Sequence, residues 1–532
     1  MKRRLRNLLQ RLVMWIDERR YARPLSRLVK HPLRAQRCLL RNIVEKNAET
    51  TFGRQHGFTD ILSVADFRAQ VAIQDYESLR PFIEDQASLG IRGLTREMPL
   101  FYARTSGTTD RPKDIPVTQD TIRRYRQGQR LYTRTIYRAI PQALDGRVLA
   151  LGGPPKEGVL DCGIPYGSMS GLLYGSLPRY LRARYVLSAD TLSISDPTQR
   201  YHAIACEAAS ARDITLVAAV NPSTLLRLAQ VINDNLAQII EAIALRDSAR
   251  ARELSRLASR GKRITFADLW PGLAAVTTWT GGNCQLYLSE MKQLLPPGTP
   301  LVELGYLASE GRLGIVIDAI ANLQIPNLRD VFYEFVRREE WDNGREEFLL
   351  VDQLHSGETY YVFITTPNGL YRYHINDIVE VDGWHHATPT FRFVQKGRGV
   401  TSLTGEKLDE RQVIQVMQEL TAHCINSPFF LMLASKSDRC YRLYMESCVL
   451  DPDELDRRMG TINLEFRAKR DSGRLPAIEV VPLAPGSGEA YRDYCIASGQ
   501  RESQLKFMPL QYADQCHFDL APWVMRPKHV AA

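Results

Sequence analysis

The stretch "ITLVAAVNPSTLLRLAQVI" restricts the possible folds more than any other part of this chain. It begins as a β-rich apolar run, turns at Asn221 and Pro222, and continues as an apolar-periodic helix from near Ser223. Similar strand-like runs that end in small-residue loops occur at "GRVLALGG", "LAAVTTWTGG" and "TPLVELGYLASEGRLGI". Strands that alternate with helices favour a parallel sheet, so the sequence predicts an α/β fold.

Two further regions differ in pattern from this α/β part. Alternating runs separated by turns predict a β-rich subdomain, and these runs are "VFYEFV", "EEFLLVDQL", "ETYYVFITT", "YRYHINDIVEV" and "TFRFVQ". Past Lys396 the helix and strand patterns mix in a compact α+β module, where "DPDELDRRMGTINLEFRA" is predicted as one helix with Asp451 or Asp453 near its N-cap. We expect a large N-terminal domain over residues 1–396 and a small mobile α+β domain over residues 397–532, joined by the glycine-rich hinge "QKGRGVTSLTGEK".

Composition places the chain among ordinary globular proteins. Its 532 residues suit roughly two to four domains, and 44% hydrophobic with 24% charged residues gives no sign of disorder. No segment approaches the ~20 apolar residues of a membrane span. The nine cysteines are scattered without a C-x-x-C pair, which excludes a zinc ribbon and a dithiol motif of that kind. These features predict a cytoplasmic protein, and the modest net charge of +9 does not require a nucleic-acid partner.

Much of the positive charge lies in the N-terminal segment "MKRRLRNLLQRLVMWIDERR". Its leucines and Ile16 follow helical spacing while arginines occupy the other positions, so the segment predicts an amphipathic helix. Its longest apolar run, "LVMWI", is too short for a secretory signal. Two interpretations stay open, a helix docked on its own domain and a helix with weak affinity for a membrane surface.

The loop "TSGTTDRPK" carries the strongest chemical signal. Hydroxyl groups, turn-forming backbone N–H groups and one mobile cation suit the binding of phosphate oxygens. The residues concerned are Thr105, Ser106, Gly107, Thr108, Thr109 and Lys113. The same composition is also typical of a polar surface turn, so the loop alone does not decide between the two.

Four later segments occur in the order of an enzyme that activates carboxylates with ATP: "GYLASEG", "YRYHINDI", "KGRGVTSLTGEKLDE" and "SQLKFMP". With "TSGTTDRPK" they resemble the adenylate-forming superfamily, and most closely its Gretchen Hagen type acyl-acid amido synthetases, the plant auxin- and jasmonate-conjugating enzymes with their bacterial relatives. The resemblance runs from about Tyr102 to Pro509. It implies the adenylate-forming fold, with a large nucleotide- and acid-binding domain and a small mobile domain.

By this resemblance the segment "GYLASE" approaches the nucleotide. We expect Tyr306 on the purine face, Ser309 on a phosphate oxygen and Glu310 on Mg²⁺, a cation that takes oxygen ligands. Read alone, Ser309 with its neighbouring acid also suits a helix N-cap. Three small residues upstream are expected to let the backbone approach the adenine, and these are Thr280, Gly281 and Gly282.

The segment "YRYHINDI" implies a ribose site, since the Asp377 carboxylate can accept both ribose hydroxyls after a strand. An aspartate after a strand is also a common turn residue. Two positions depart from the family pattern, because Asn376 and Asp110 replace the usual glycines. Asparagine tolerates the left-handed conformation, so we expect the turn before Asp377 to persist. Asp110 adds a carboxylate near triphosphate, which is unfavourable unless its side chain points away.

The remaining landmarks belong to the hinge and the small domain. Glycines in "GRGVTSLTGEKLDE" can absorb large backbone rotations, although a flexible linker has the same composition. The resemblance places Arg398 at the ribose or phosphate, Lys407 near the active site in one orientation, and Lys506 as the lysine of the C-terminal stretch.

The function that this resemblance implies is an ATP- and Mg²⁺-dependent ligase. A carboxylic acid forms an acyl-adenylate with release of pyrophosphate, and an amine, expected to be an amino acid, takes the acyl group as an amide. Lys113 and Lys506 would offset the developing negative charge. Two alternatives stay open, capture of the same adenylate by a thiol such as coenzyme A, and a basic protein with an inactive nucleotide site.

The substrates themselves are not readable from the sequence. The helix "TIRRYRQGQRLYTRTIYR" and the segment "NPSTLL" are expected to border the acyl pocket by analogy. Arg123, Arg124 and Arg126 suit either an acidic group on the substrate or a solvated basic face.

Overall fold

The computed structural model describes residues 2–105, 112–177, 179–397, 399–424, 428–446, 450–500, 505 and 507–525. The chain forms two compact units. The first comprises Met1–Thr280 and Leu294–Phe393, and the second comprises Gly281–Gln293 and Val394–Ala532. No single cut separates them, because Gly281–Gln293 clusters with the C-terminal part of the chain.

The first unit begins with helices α1 (Lys2–Asp17), α2 (Arg23–Leu28), α3 (Pro32–Asn47), α4 (Thr51–Gln55), α5 (Val64–Gln70) and α6 (Tyr76–Ser88). Capping boxes begin two of them, since Ser63 caps α5 and Asp75 caps α6. None of the described helices combines the length and apolar character that crossing a bilayer requires.

Strands follow that carry the ends of the phosphate-type loop. They are β1 (Phe101–Thr105) and β2 (Lys113–Val117), which lead into α7 (Gln119–Ala139), and then β3 (Arg147–Leu151), β4 (Gly158–Val159) and β5 (Pro165–Gly167). The order β2-β1-β5-β4 makes one sheet, with β1 antiparallel to β2. Thr118 caps α7 through a capping box, so the chain enters this long helix directly from β2.

The predicted parallel sheet is confirmed, in the order β3-β6-β7-β8. Its remaining elements are α8 (Met169–Gly175), α9 (Arg179–Arg182), α10 (Ala189–Ser193), α11 (Pro197–Ser210), β6 (Ile214–Ala219), α12 (Pro222–Asp234), α13 (Leu236–Ala244), α14 (Ser248–Ala258), α15 (Phe266–Leu269), β7 (Ala275–Thr278) and β8 (Leu301–Glu303). Asn221 caps α12 by accepting a hydrogen bond from the Ser223 N–H, which explains why the strand run turns into a helix there.

The predicted β-rich subdomain is also present. It contains β9 (Leu307–Ala308), β10 (Gly311–Arg312), β11 (Gly314–Asp318), β12 (Leu323–Pro326), β13 (Phe332–Arg337), α17 (Arg338–Asp342), β14 (Thr359–Thr365), β15 (Tyr373–His385) and β16 (Thr388–Lys396). The last four strands form the sheet β13-β14-β15-β16.

The strand predicted for "EEFLLVDQL" is wrong. Only Leu349 in this described stretch pairs with a strand, by exchanging backbone hydrogen bonds of 2.7 and 2.9 Å with Phe335. The chain turns immediately afterwards, because the Leu350 N–H donates to the side chain of Gln353 and the Gln353 N–H donates back to the Leu350 carbonyl. A local turn therefore overrides the apolar run.

The second unit contains α16 (Gln285–Leu294), which ends one residue beyond its boundary, β17 (Val400–Thr401), β18 (Leu408–Asp409), α18 (Glu410–Leu420), β19 (Phe430–Ser435), β20 (Cys440–Glu446), α19 (Pro452–Ile462), α20 (Leu464–Asp471), β21 (Glu479–Leu483), α21 (Ser487–Ala497) and β22 (Leu510–Tyr512). Its main sheet has the order β21-β20-β19-β22 and packs against the helices. The predicted α+β character is confirmed.

One predicted helix of this unit is two helices. The chain breaks at Asn463, whose side-chain oxygen accepts from the Phe466 N–H at 2.8 Å while its amide donates to the Glu406 carbonyl at 3.0 Å. Asn463 thus caps α20 and holds the break against the loop before α18. The predicted start is confirmed at Asp451, whose side chain accepts from the Asp453 N–H.

A buried carboxyl group begins α18. Glu410 is 7% exposed, and a side chain on Gly399 would contact its Oε2 atom at 2.5 Å. Burial, with a smaller contribution from the charge of Asp409, raises the pKa of Glu410 to about 8. The folded unit therefore holds this carboxyl protonated at neutral pH, whereas the unfolded chain does not.

We expect the contribution of Glu410 to the free energy of unfolding to fall as the pH rises between about 5 and 8, by about 1.4 kcal/mol per pH unit, because the folded state alone keeps the proton. Glu410→Gln should flatten this dependence. Urea unfolding at several pH values measures it, with hydrogen exchange of α18 peptides to locate the effect. Parallel pH profiles for wild type and Glu410→Gln would contradict the assignment.

Candidate active site

The ends of the phosphate-type loop lie opposite each other in a strand pair. Thr105 ends β1, Lys113 begins β2, and the two residues are partners in the antiparallel register. The loop residues Ser106, Gly107, Thr108 and Thr109 lie outside the described part of the chain, as does Asp110. The strand pair holds Thr105 and Lys113 at the two ends of the loop.

Lys113 lies among tyrosines. Its Nζ is 3.4 Å from the Tyr373 hydroxyl and 5.6 Å from the centre of the Tyr76 ring. Tyr76 is fixed in turn by the Asp114 N–H, which donates to its hydroxyl at 2.7 Å. The lysine at the loop is thereby joined to β15, far away in the chain.

Ser309 and Glu310 form the turn of a tight hairpin. Ala308 and Gly311 pair across it, and both turn residues are half-buried. Ser309 therefore does not cap a helix, which removes that alternative. The sequence predicted a small-residue loop after a strand here, and the segment after β8 instead forms the strand pair β9 and β10 with these two residues at its turn.

Glu310 lies close to two buried phenols. Burial is the main cause of the raised pKa of Tyr125 and Tyr373, and the negative charge of Glu310 raises it further in both. Tyr125 also donates to the Ala308 carbonyl at 2.7 Å, so α7 packs on the hairpin. Within the described residues no donor pairs with the Glu310 carboxylate, which leaves its oxygens available.

Tyr306 and Asp377 form a short hydrogen bond within the site. The Tyr306 hydroxyl donates to Asp377 Oδ2 at 2.6 Å, and both side chains are buried. Burial and the Asp377 charge raise the pKa of Tyr306 well above its usual value, so the phenol remains a donor. The Tyr306 ring lies 5.8 to 6.0 Å from the rings of Phe391 and Phe393. Its stacking on a purine stays a prediction.

Asp377 lies in a β-bulge of β15. Between the paired positions Phe363 with His374 and Tyr361 with Ile378, β15 has two more residues than β14. Asn376 lies in this bulge with φ of +60°, which confirms that asparagine keeps the left-handed turn that glycine would make. Asp377 does not end the strand as predicted, because β15 continues beyond the bulge to His385.

Glu303 connects the two loops that follow β7 and β8. Its Oε2 accepts hydrogen bonds from the Thr280 N–H at 2.7 Å and the Thr280 hydroxyl at 2.6 Å. Its Oε1 accepts from the Gly305 N–H at 2.9 Å, immediately before Tyr306. Burial raises the pKa of Glu303, while the hydrogen bonds from Thr280 oppose that shift. Thr280 is thereby held beside the Tyr306 loop.

The other predicted site residues lie in the second unit. Gly282 has φ of +58°, a conformation that glycine adopts without strain, and it begins a short 3₁₀ helix directly after Gly281. Lys407 has an exposed side chain and left-handed backbone with φ of +44°. Arg398 and Lys506 lie outside the described residues, so their predicted roles stay predictions.

Arg312, two residues after Glu310, is a buried cation that the sequence did not single out. It is 7% exposed, and within the described residues its guanidinium makes one hydrogen bond, from Nη2 to Gln129 Oε1 at 3.2 Å. Its buried Nε has no acceptor there. Burial lowers the pKa of Arg312. A Cβ on Gly128 would lie 2.6 Å from its Cδ, so α7 has a glycine where the arginine crosses it.

The arginines at the start of α7 are paired, although Arg123, which is 65% exposed, and Arg126 also face solvent. Arg123 and Arg124 both pair with Asp120, and Arg124 also contacts Asp330 at 2.8 Å. Arg126 donates to the Ser176 carbonyl at 3.0 Å. Arg124 is 27% exposed, so a solvated basic face does not describe it.

The structure thus brings together seven predicted residues of the first unit, namely Thr105, Lys113, Thr280, Tyr306, Ser309, Glu310 and Asp377. Two further residues, Glu303 and Tyr373, complete the contacts without having been predicted. The buried Arg312 lies on the same hairpin as Glu310. Tyr373 lies in the segment "YRYHINDI" and Glu303 ends an apolar strand run. For Glu303, the sequence offered one signal, which is an acidic residue at the end of an apolar strand run.

The chain matches three family domains along its length. These are the GH3 family N-terminal domain over residues 22–301, the GH3 family central domain over 325–396 and the GH3 family C-terminal domain over 411–513. Indole-3-acetic acid-amido synthetase GH3.17 from Arabidopsis thaliana is 22% identical, with 88% of this chain and 90% of the relative covered.

Two solved structures share the fold. GH3.15 acyl acid amido synthetase superposes with a TM-score of 0.80 at 19% identity, over 94% of this chain and 95% of that one. A 2-hydroxyisobutyryl-CoA ligase in the postadenylation state has a TM-score of 0.53 at 11% identity, over 90% and 88% of the two chains. The chain therefore shares its fold, with a large N-terminal part and a smaller C-terminal part, with these two structures.

Proposed function

This chain belongs to the GH3 family, and from that membership we propose that it is an ATP-dependent ligase that joins a carboxylic acid to an amine. The observation that carries the proposal is the convergence of Lys113, Glu310 and Asp377 around Tyr306 and Tyr373. A nucleoside triphosphate needs a cation for its phosphates, a carboxylate for its metal ion and a carboxylate for its ribose hydroxyls, and Lys113, Glu310 and Asp377 supply these three groups.

The reaction proceeds in two steps. A carboxylate oxygen of the acid attacks the α-phosphorus of ATP, the bond to the bridging oxygen breaks, and pyrophosphate leaves with its electron pair. The amine nitrogen then attacks the acyl carbon of the adenylate, AMP leaves, and the nitrogen loses a proton. The acceptor is an amino acid in this proposal, in line with the amido synthetase names of the relatives. No enzyme nucleophile takes part.

Each residue has a task in the first step. Lys113 places positive charge where the triphosphate develops negative charge, and the loop from Thr105 to Thr109 donates to the phosphate oxygens with Ser309. Asp377, to which the Tyr306 hydroxyl donates, accepts the ribose hydroxyls. The backbone from Thr280 to Gly282 borders the adenine. By the family resemblance, Arg398 contacts the ribose or a phosphate, and Lys407 approaches the active site in one orientation of the small domain.

Mg²⁺ fits Glu310. The described residues contain no cluster of three or more potential metal ligands, and Mg²⁺ in nucleotide sites uses one or two carboxylates with the substrate phosphates. Glu310, half-buried with an unpaired carboxylate among the described residues, offers one such ligand. When bound, the ion would neutralise charge on the phosphates.

The test is pyrophosphate release across a panel of carboxylic acids without any amine, followed by product mass after addition of amino acids. Glu310→Gln keeps an oxygen ligand but loses the charge, so we expect the Mg²⁺ concentration for half-maximal rate to rise roughly 10–100-fold. Much of the rate should return at saturating Mg²⁺.

Coenzyme A as the sole acceptor separates the thioester alternative, because a product found only with that thiol would overturn amide synthesis. Absence of ATP binding would favour the inactive nucleotide site. A Glu310→Gln rate that is insensitive to Mg²⁺ would remove Glu310 from the metal.

A further inference from the structure

Helix α1 presents its apolar side chains to solvent. The exposed fractions are 52% for Leu12, 42% for Val13, 51% for Trp15 and 39% for Ile16. At 100° per residue these positions span an arc of roughly 160° on one side of the helix. Large apolar side chains that are adjacent and exposed mark an interaction surface more often than scattered single residues do.

The opposite side of α1 fixes the helix to its own unit. Asp17 is 2% exposed and accepts a hydrogen bond from Arg130 of α7 at 2.8 Å. Met14 packs against the cluster that contains Tyr132, and Glu18 pairs with Arg134. The helix is therefore docked through its polar anchor, and this docking turns the apolar arc outward.

The charge of the N-terminal segment that contains α1 is strongly one-sided. Residues 1–44 contain thirteen Lys and Arg against two acidic residues, Asp17 and Glu18, which are the two that pair with α7. The remaining 488 residues contain 56 basic and 58 acidic residues, so the positive net charge of the chain comes from this segment. Arg11, Arg19 and Arg20 are exposed beside the arc, and the Arg19 guanidinium lies 3.9 Å from the centre of the Trp15 ring.

We propose that α1 binds the protein to an anionic phospholipid surface, lying in the interface with Leu12, Val13, Trp15 and Ile16 in the acyl boundary and its arginines on the head groups. A helix with an apolar face, flanking cations and a tryptophan at the boundary suits this environment. A nucleic acid would use the arginines but would leave the apolar arc in water. Pairing of two copies would bring two strongly basic segments together.

This surface is separate from the proposed reaction. The matched N-terminal domain of the family begins at residue 22, after α1 has ended at Asp17. Loss of membrane binding would therefore leave the ligase proposal intact, and absence of ligase activity would leave the membrane-binding proposal intact.

Co-sedimentation of the full chain with vesicles tests the proposal. We expect binding to vesicles of equal phosphatidylglycerol and phosphatidylcholine, reduced in high salt and by at least about tenfold on pure phosphatidylcholine. The double variant Leu12→Gln with Ile16→Gln keeps the charge and should weaken binding to the anionic vesicles roughly tenfold. Leu62→Gln is the matched control, because Leu62 is 77% exposed elsewhere on the same unit. Tryptophan emission should shift to the blue with vesicles, and this shift should be lost in Trp15→Phe.

Unchanged binding of the double variant would overturn the proposal, since charge alone would then suffice. Equal binding to uncharged vesicles, or no binding at all, would also overturn it. So would a change of oligomeric state caused by the double variant, which would assign the arc to a second copy, or tighter binding to duplex RNA than to vesicles. Retained ligase activity of the double variant shows that it is folded.

Discussion

Replacement of Lys506 by alanine should slow adenylate formation roughly 10²–10³-fold, while amide formation from a supplied acyl-adenylate stays near the wild-type rate. We propose that residues 397–532 turn between the two half-reactions and bring the Lys506 ammonium to the α-phosphate during the first. Negative charge on the α-phosphate grows only during adenylate formation, so Lys506 stabilises the transition state of that step alone. The loss of rate in Lys506→Ala should therefore be confined to adenylate formation.

Two assays separate the half-reactions, acid-dependent pyrophosphate release for the first and amide formation from a synthetic acyl-adenylate for the second. Lys113→Ala is the comparison, because Lys113 belongs to the first unit at the end of the phosphate loop and its loss should also impair triphosphate binding. Equal damage to both half-reactions in Lys506→Ala would mean that the lysine is structural, and the rotating-domain mechanism would lose its main support.

Replacement of Glu303 by alanine should lower the free energy of unfolding by about 2–4 kcal/mol and the rate of pyrophosphate release by roughly 10²-fold. The carboxylate accepts three hydrogen bonds, two from the half-buried Thr280 and one from the buried Gly305, and alanine leaves these donors unpaired. Each unpaired donor costs about 1–3 kcal/mol, partly offset because the buried charge is also removed. The loops that carry Thr280 and Tyr306 would lose their common anchor.

Urea unfolding and the pyrophosphate assay measure the two effects. Glu303→Gln retains an acceptor oxygen for Thr280 but turns an amide toward the Gly305 N–H, so its losses should be smaller than those of alanine. Glu84→Ala, at a side chain 65% exposed in the same unit, should change neither quantity appreciably. Wild-type activity in Glu303→Ala would show that the two loops keep their positions without this carboxylate.

The main elements of the fold could be predicted from the sequence because their patterns are local. The strand of "ITLVAA" is buried, and Asn221 caps the following helix by itself. The errors occur where contacts with other parts of the chain, or short turns, decide the outcome. Gln353 turns the chain after Leu349, and the contact of Asn463 with the loop before α18 accompanies the break between α19 and α20.

The candidate site could be predicted in part, and through resemblance rather than physical derivation. The loop types and the left-handed Asn376 follow from residue chemistry. The partners do not, since Tyr373 meets Lys113 and Glu303 meets Thr280 only after the strands have assembled. Long-range pairings of this kind leave no periodicity in a single sequence.

The crossing of Arg312 over Gly128 has a consequence for the evolution of the chain. A methyl group at position 128 would overlap the arginine side chain, so the long side chain at 312 and the glycine at 128 cannot be acquired or lost independently without a clash or a gap. A chain with a shorter residue at 312 would have room for alanine or serine at position 128 of the helix. The two positions should therefore covary in an alignment of GH3 sequences, although they lie on elements far apart in the chain.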